Sequence, residues 1–92
     1  MKIVRTENAG VFAGEVESLN DAGRAVVLNA RRLWFWAGAA SLSQLAVDGT
    51  KEPSRCKFPA VVSRVELFSV IEVLDVTPEA AQSIQNVPVW SA

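Results

Sequence analysis

An α+β fold is predicted: a mostly antiparallel β-sheet or small open barrel of about five strands, carrying two short helices. Three observations lead to it. Two long segments, Arg24–Trp36 and Val62–Val76, are rich in β-branched and aromatic residues. The stretch Asn20-Asp21-Ala22-Gly23 between strand-like runs is a turn signal, because Asn, Asp and Gly tolerate left-handed backbone angles. Two shorter stretches, around Leu42–Ala46 and after Thr77, carry helix periodicity and helix-start chemistry.

Taken in order, Lys2–Arg5 reads as a short strand broken by Glu7, Asn8 and Gly10. The run from Gly10 to Leu19 is a second strand, with Val11, Ala13 and Glu15 on one face and Phe12, Gly14 and Val16 on the other. Its glycines mark places where another backbone can approach closely. After the turn, Arg24–Trp36 continues a meander of two or three antiparallel strands. Ala37-Gly38 stops it. Leu42, Leu45 and Ala46 then stand at i, i+3 and i+4, which gives a short helix one apolar face, and Gly49 suits the position beyond its end.

Thr50–Arg55 reads as a surface loop, and Cys56–Phe58 as a short edge strand limited by Pro59. In the second long segment Val65, Leu67, Ser69, Ile71 and Val73 share the more apolar face, which is expected to turn inward. Thr77-Pro78-Glu79 supplies an N-cap, a first-turn proline and a carboxylate at the positive end of a second helix, which ends near Asn86. The tail from Val87 to Ala92 adds an edge strand or docks Trp90 on a neighbouring surface.

Ninety-two residues make a single domain, 1–92. A chain of this length buries only roughly 60–65% of its unfolded surface. Half of its residues are apolar, so some hydrophobic surface is left over, and a homo-oligomer would cover it. The net charge of −1, with acidic and basic residues interspersed, argues against duplex nucleic acid as a partner. No apolar run is long enough for a membrane span and the amino terminus lacks a signal-peptide core, so a reducing cytoplasm is the expected compartment.

The chain has no histidine and one cysteine, Cys56. That removes the usual general base and the commonest metal ligand, and no metal or other cofactor is expected. Cys56 lies between Arg55 and Lys57, which would activate an exposed thiol; without a histidine partner, a buried inert thiol is the better reading. The carboxylate pairs Glu15/Glu17 and Glu66/Glu72 would need to flank a cleft at a set separation to act on a glycoside. The protein is expected not to be an enzyme.

The most informative stretch is Asn29–Gln44, NARRLWFWAGAASLSQ. Alternation places Arg32, Trp34 and Trp36 on one face and Arg31, Leu33 and Phe35 on the other. An arginine beside two indoles can neutralise a phosphate while a flat ring stacks on tryptophan. Gly38 lets an anion approach the backbone, Ser41, Ser43 and Gln44 surround the following helix start, and that first turn has no acidic residue. The candidate ligand-binding set is therefore Arg31, Arg32, Trp34, Trp36, Gly38, Ser41, Ser43 and Gln44. Against it stands a structural reading: tryptophans on a strand fill a core or an oligomer contact, the arginines pair with Glu15, Glu17, Glu66 or Glu72, and the serines favour the helix start.

From Asn29 to Gly49, NARRLWFWAGAASLSQLAVDG resembles a family of short, mostly uncharacterised proteins of tailed bacteriophages and prophages. The likeness continues through CKFPAVV, VIEVL, TPEAAQSI and the terminal VPVW. It implies a phage protein made in the bacterial host cytoplasm and brings no established activity. Small phage proteins of this size include oligomeric sponges that sequester nucleotide signals of bacterial immunity. By that general analogy the expected ligand is a cyclic nucleotide or an ADP-ribose-like molecule, with subunit interfaces supplying pocket walls. The alternatives are a phage structural, assembly or host-protein-interaction module, and a binder of single-stranded nucleic acid.

Overall fold

Turn chemistry and alternation produce five strands, β1 (Lys2–Thr6), β2 (Val11–Leu19), β3 (Ala25–Arg32), β4 (Val62–Leu67) and β5 (Val70–Asp75), in a computed structural model that describes residues Met1–Ala92. All pairings are antiparallel and the sheet order is β4-β3-β2-β1-β5. Two helices, α1 (Leu42–Asp48) and α2 (Pro78–Gln85), complete an α+β fold, with a 3-10 turn over Pro53–Arg55. No helix is long and apolar enough to cross a membrane.

The long segment from Val62 to Val76 is not one strand. It divides at Phe68-Ser69 into β4 and β5, which pair at opposite edges of the sheet: Leu67 lies across from Ala25 on β3, and Val70 across from Thr6 on β1. Three residue steps span at most about 11 Å, whereas four strand spacings of a flat sheet are about 19 Å. The sheet must therefore curl, and backbone bonds from Val70 N to Gly23 O (2.9 Å) and from Glu7 N to Ser69 O (2.9 Å) hold the corner.

Curling gives the sheet two cores. Val4, Phe12, Val27, Ala30 and Leu67 fill the concave side. Ile3, Ala13 and Leu33 on the other face pack against Leu45 and Ala46 of α1, Ile84 of α2, and Cys56, Phe58 and Val87. The division at Phe68-Ser69 also corrects the expected inward face. Leu67 is buried, but beyond the corner Val70 and Leu74 pack inward while Ile71 and Val73 are exposed.

β3 likewise stops at Arg32 instead of reaching Trp36. Between the pairs Ala13↔Arg31 and Glu15↔Leu28 it carries one residue more than β2, and Asn29 there has φ +49°. This is a β-bulge, which reverses the side-chain alternation downstream. Gly14 faces it: a Cβ would come within 2.7 Å of Val27 Cγ1 and 2.8 Å of Leu28 O, so the close approach of backbones anticipated at a glycine occurs here.

Local signals at the helices hold. Thr77 Oγ1 accepts from Ala80 N (3.1 Å), with Pro78 and Glu79 in the first turn. The Thr77 hydroxyl also donates to Val47 O (2.7 Å), joining the start of α2 to the end of α1. Cys56–Phe58 forms isolated bridges instead of an edge strand, Phe35↔Lys57 on one side and Phe58↔Val89 on the other. The tail thus joins the edge through Val89, and Trp90 N bonds to Phe58 O (3.0 Å).

Candidate ligand groove

The bulge at Asn29 decides which arginine is buried. Arg31 turns toward the helices, is 6% exposed, and has no carboxylate partner. It donates to four backbone carbonyls instead: Nε to Pro59 O (2.9 Å), Nη1 to Ile84 O (3.0 Å), and Nη2 to Phe58 O (3.0 Å) and Val87 O (2.8 Å). Its guanidinium also lies over the Phe58 ring. Burial lowers its pKa from the usual arginine value, with Cys56 acting in the opposite direction. The C-terminal end of a helix presents carbonyls and partial negative charge, so Arg31 ties the end of α2 and the segment before β4 to the sheet. Its bonds go to main-chain carbonyls, and Arg31 lines a separate cavity of about 230 Å³ beside Asn29 and Ile84, not the groove that holds Arg32.

Arg32 emerges on the other side and is exposed. Its guanidinium lies 4.4 Å from the Phe12 ring centroid, and Nη1 donates to Ala9 O. Most of its five N–H donors are left for solvent or a ligand. The turn that supplies Ala9 O is shaped by Thr6, whose hydroxyl accepts from Ala9 N (2.9 Å) and donates to Gly10 O (2.8 Å).

Asn8 to Val11 form one wall of an open groove of about 440 Å³; Arg32, Leu33, Trp34 and Trp36 form the other. Trp34 is 65% exposed, while Trp36 is half-buried and braced against the core. Three of the expected site residues, Arg32, Trp34 and Trp36, are thus brought together with an opening between them. Leu33 N bonds to Val11 O (2.8 Å) and Trp34 N to Lys57 O (3.2 Å), so the backbone under both indoles is held on each side.

The remaining expected residues lie outside the groove. Gly38 has φ +76°, and a Cβ there would meet Glu52 N at 2.4 Å and Lys51 N at 2.6 Å; the glycine seats the Thr50–Glu52 loop. Ser41 caps α1 by accepting from Gln44 N (3.1 Å), and Gln44 Oε1 accepts from Ala40 N (2.7 Å). Ser41 and Gln44 thus spend their side-chain oxygens on the chain's own amides, and Ser43 is exposed beside them. Cys56 is buried among Ala37 O, Thr50 Oγ1 and Glu52 O at 3.6 Å each. The groove residues that sequence reading missed are Asn8–Val11 and Leu33. The only local signal for Asn8–Val11 was the break after Arg5; their meeting with Arg32 follows from the Phe12↔Arg32 register.

A family model described as a domain of unknown function, DUF6948, matches residues 2–84. The chain belongs to the DUF6948 family. The match includes all five strands, both groove walls and nearly all of α2. No curated protein and no solved structure matches the chain.

Proposed function

We propose that this DUF6948 protein is a non-enzymatic phage protein that binds a small anionic or nucleotide ligand in the host cytoplasm. In this reading it acts as an oligomeric sponge for a nucleotide signal of bacterial immunity. The observation that carries the reading is the shared groove: Arg32, oriented by Phe12 and Ala9 O, stands beside the exposed Trp34 and the braced Trp36. An indole stacks on a base, and a guanidinium pairs with phosphate oxygens. The groove is open on one side, and a second protomer would supply a further wall. Carboxylate pairs that could serve hydrolysis are engaged elsewhere: Glu15 pairs with the amino terminus, Glu66 with Arg64 and Glu72 with Arg5.

The test is thermal stability against cyclic di- and trinucleotides and ADP-ribose derivatives. A ligand present at 100 times its dissociation constant adds about 2.7 kcal/mol. A flat response across the whole panel overturns the reading.

A second reading, a phage assembly or host-protein-interaction module, is favoured by a different surface. Phe35, Val89 and Trp90 are all exposed, and Lys57 Nζ lies 5.8 Å from the Phe35 ring and 5.6 Å from the Trp90 ring. Aromatic clusters of this kind anchor protein interfaces. Recovery of a stoichiometric host or virion protein from infected cells, lost on Trp90→Ala, would favour it.

A further inference from the structure

The exposed edge of β4 carries a self-complementary sequence, and we infer that it pairs antiparallel with β4 of a second copy across a two-fold axis at Val65. β4 bonds only to β3, so its other edge has no strand beside it. An open edge of this kind is a template for another strand. Val62, Arg64, Glu66 and Phe68, the first residue past the strand, alternate along one face, and all four are exposed.

Antiparallel partners directly opposite each other share a face of the sheet. With Val65 on the axis, Arg64 stands opposite Glu66 of the second copy, and Glu66 opposite its Arg64. Val62 likewise meets Phe68 at both ends. These apolar side chains, 54% and 61% exposed in the single chain, cover each other. On the opposite face Val65 meets Val65 and Ser63 meets Leu67.

Neighbouring registers lose this match. Moving the axis to Arg64 sets arginine against arginine, and moving it to Glu66 sets glutamate against glutamate; like charges directly opposed destabilise a strand pair. The other edge offers no equivalent. The charged residues of β5, Glu72 and Asp75, are both acidic, whereas β4 carries one charge of each sign, Arg64 and Glu66, 3.4 Å apart within the chain and able to exchange partners with those of a second copy. Self-pairing there brings no opposite charge across the seam. The β4 edge therefore specifies one partner and one register. This inference does not rest on the ligand reading, because none of the β4 residues lines the groove.

The experiment is light scattering after gel filtration, with unlabelled full-length protein, on wild type and three exposed charge variants. Wild type is expected at twice the 9.9 kDa chain mass or a multiple of that dimer. Glu66→Arg alone and Arg64→Glu alone each place like charges across both ends of the seam, and should raise the dissociation constant of that contact by roughly tenfold or more. The double exchange Arg64→Glu with Glu66→Arg restores association. An equimolar mixture of the two single variants associates as a heterodimer, since each then meets its opposite charge. Far-ultraviolet circular dichroism establishes that each variant is folded. A monomeric wild type, an assembly indifferent to both single variants, or failure of the mixture to associate overturns the inference. A silent ligand panel with these outcomes intact would leave it standing.

Discussion

Arg31 and Arg32 are adjacent in the chain and opposite in role: the first places its guanidinium among four main-chain carbonyls, the second lays its own on Phe12 at the rim of an open groove. The one-residue bulge at Asn29 makes this assignment. Without it, Arg31 would fall on the face of Val27, inside the curl of the sheet.

Arg31→Ala should therefore act on stability. It strips hydrogen bonds from Phe58, Pro59, Ile84 and Val87 and opens a void among them. A loss of about 3 kcal/mol or more is expected. Arg31→Lys should recover only part of it, because an ammonium group has three donors and no planar fork. Urea denaturation would show this as a fall in midpoint at nearly constant slope. A midpoint unchanged in Arg31→Ala would contradict the role given to those four bonds.

Arg32→Ala should do the reverse. The side chain is exposed, its contacts being Ala9 O and the Phe12 ring, so its removal should cost no more than about 1 kcal/mol. Any thermal shift produced by a nucleotide ligand should disappear with it. Trp34→Ala should behave similarly, because the indole is mostly exposed; Trp36→Ala should lower both stability and binding, because its ring packs against the core. Titration calorimetry beside thermal melts separates the two effects.

Gly38→Ala should destabilise the protein whatever the ligand. The new methyl group would enter the space of Lys51 N and Glu52 N at a positive φ. The Lys51 N to Gly38 O bond (3.1 Å) and the cap made by Thr50 on Ala37 O (2.5 Å) would have to move. A loss of about 2 kcal/mol is expected. An unaltered melting temperature would mean that the loop gives way freely.

The pH dependence has an assignable part. Lys2 holds the Asp75 carboxyl below the ordinary aspartate range, first by its hydrogen bond and then by its charge, with slight burial opposing. A carboxylate depressed in the folded state stabilises it above the unfolded pKa, and that contribution is lost as pH falls through the folded value. Stability should accordingly decline below about pH 4, and Asp75→Asn should flatten that portion of the profile. Because the pair is exposed, added salt should shrink the difference. Superimposable acid profiles for the variant and wild type would refute the assignment.

Features written in a few consecutive residues were legible before any coordinates. The Asn20–Gly23 turn, the Thr77-Pro78-Glu79 start of α2 and Gly49 beyond α1 each depend on near neighbours. The meeting of Arg32 with Trp34 was legible for the same reason, since buried Arg31 and Leu33 alternate with exposed Arg32 and Trp34; the alternation lapses at Phe35, which is exposed, and Trp36 joins the groove while packing against the core of Leu33. The corner at Phe68-Ser69 was not, because the Val62–Val76 segment has no glycine, proline or asparagine to mark a change of sheet edge. Nor could Arg31 be told from Arg32. Its acceptors lie 27 to 56 positions away, and a bulge needs only an asparagine that also looks at home in a strand.

The two-residue corner between β4 and β5 has a mechanical consequence. It works as a clasp across the mouth of the curled sheet, so neither border can peel outward without pulling on the other. Fraying that would begin independently at each margin of a flat sheet is here a single event, opposed by hydrogen bonds to both β1 and β3. Hydrogen exchange should find the bonded amides of Val62–Leu67 and Val70–Asp75 opening together, with similar protection. Inserting a run of glycines between Phe68 and Ser69 should uncouple them.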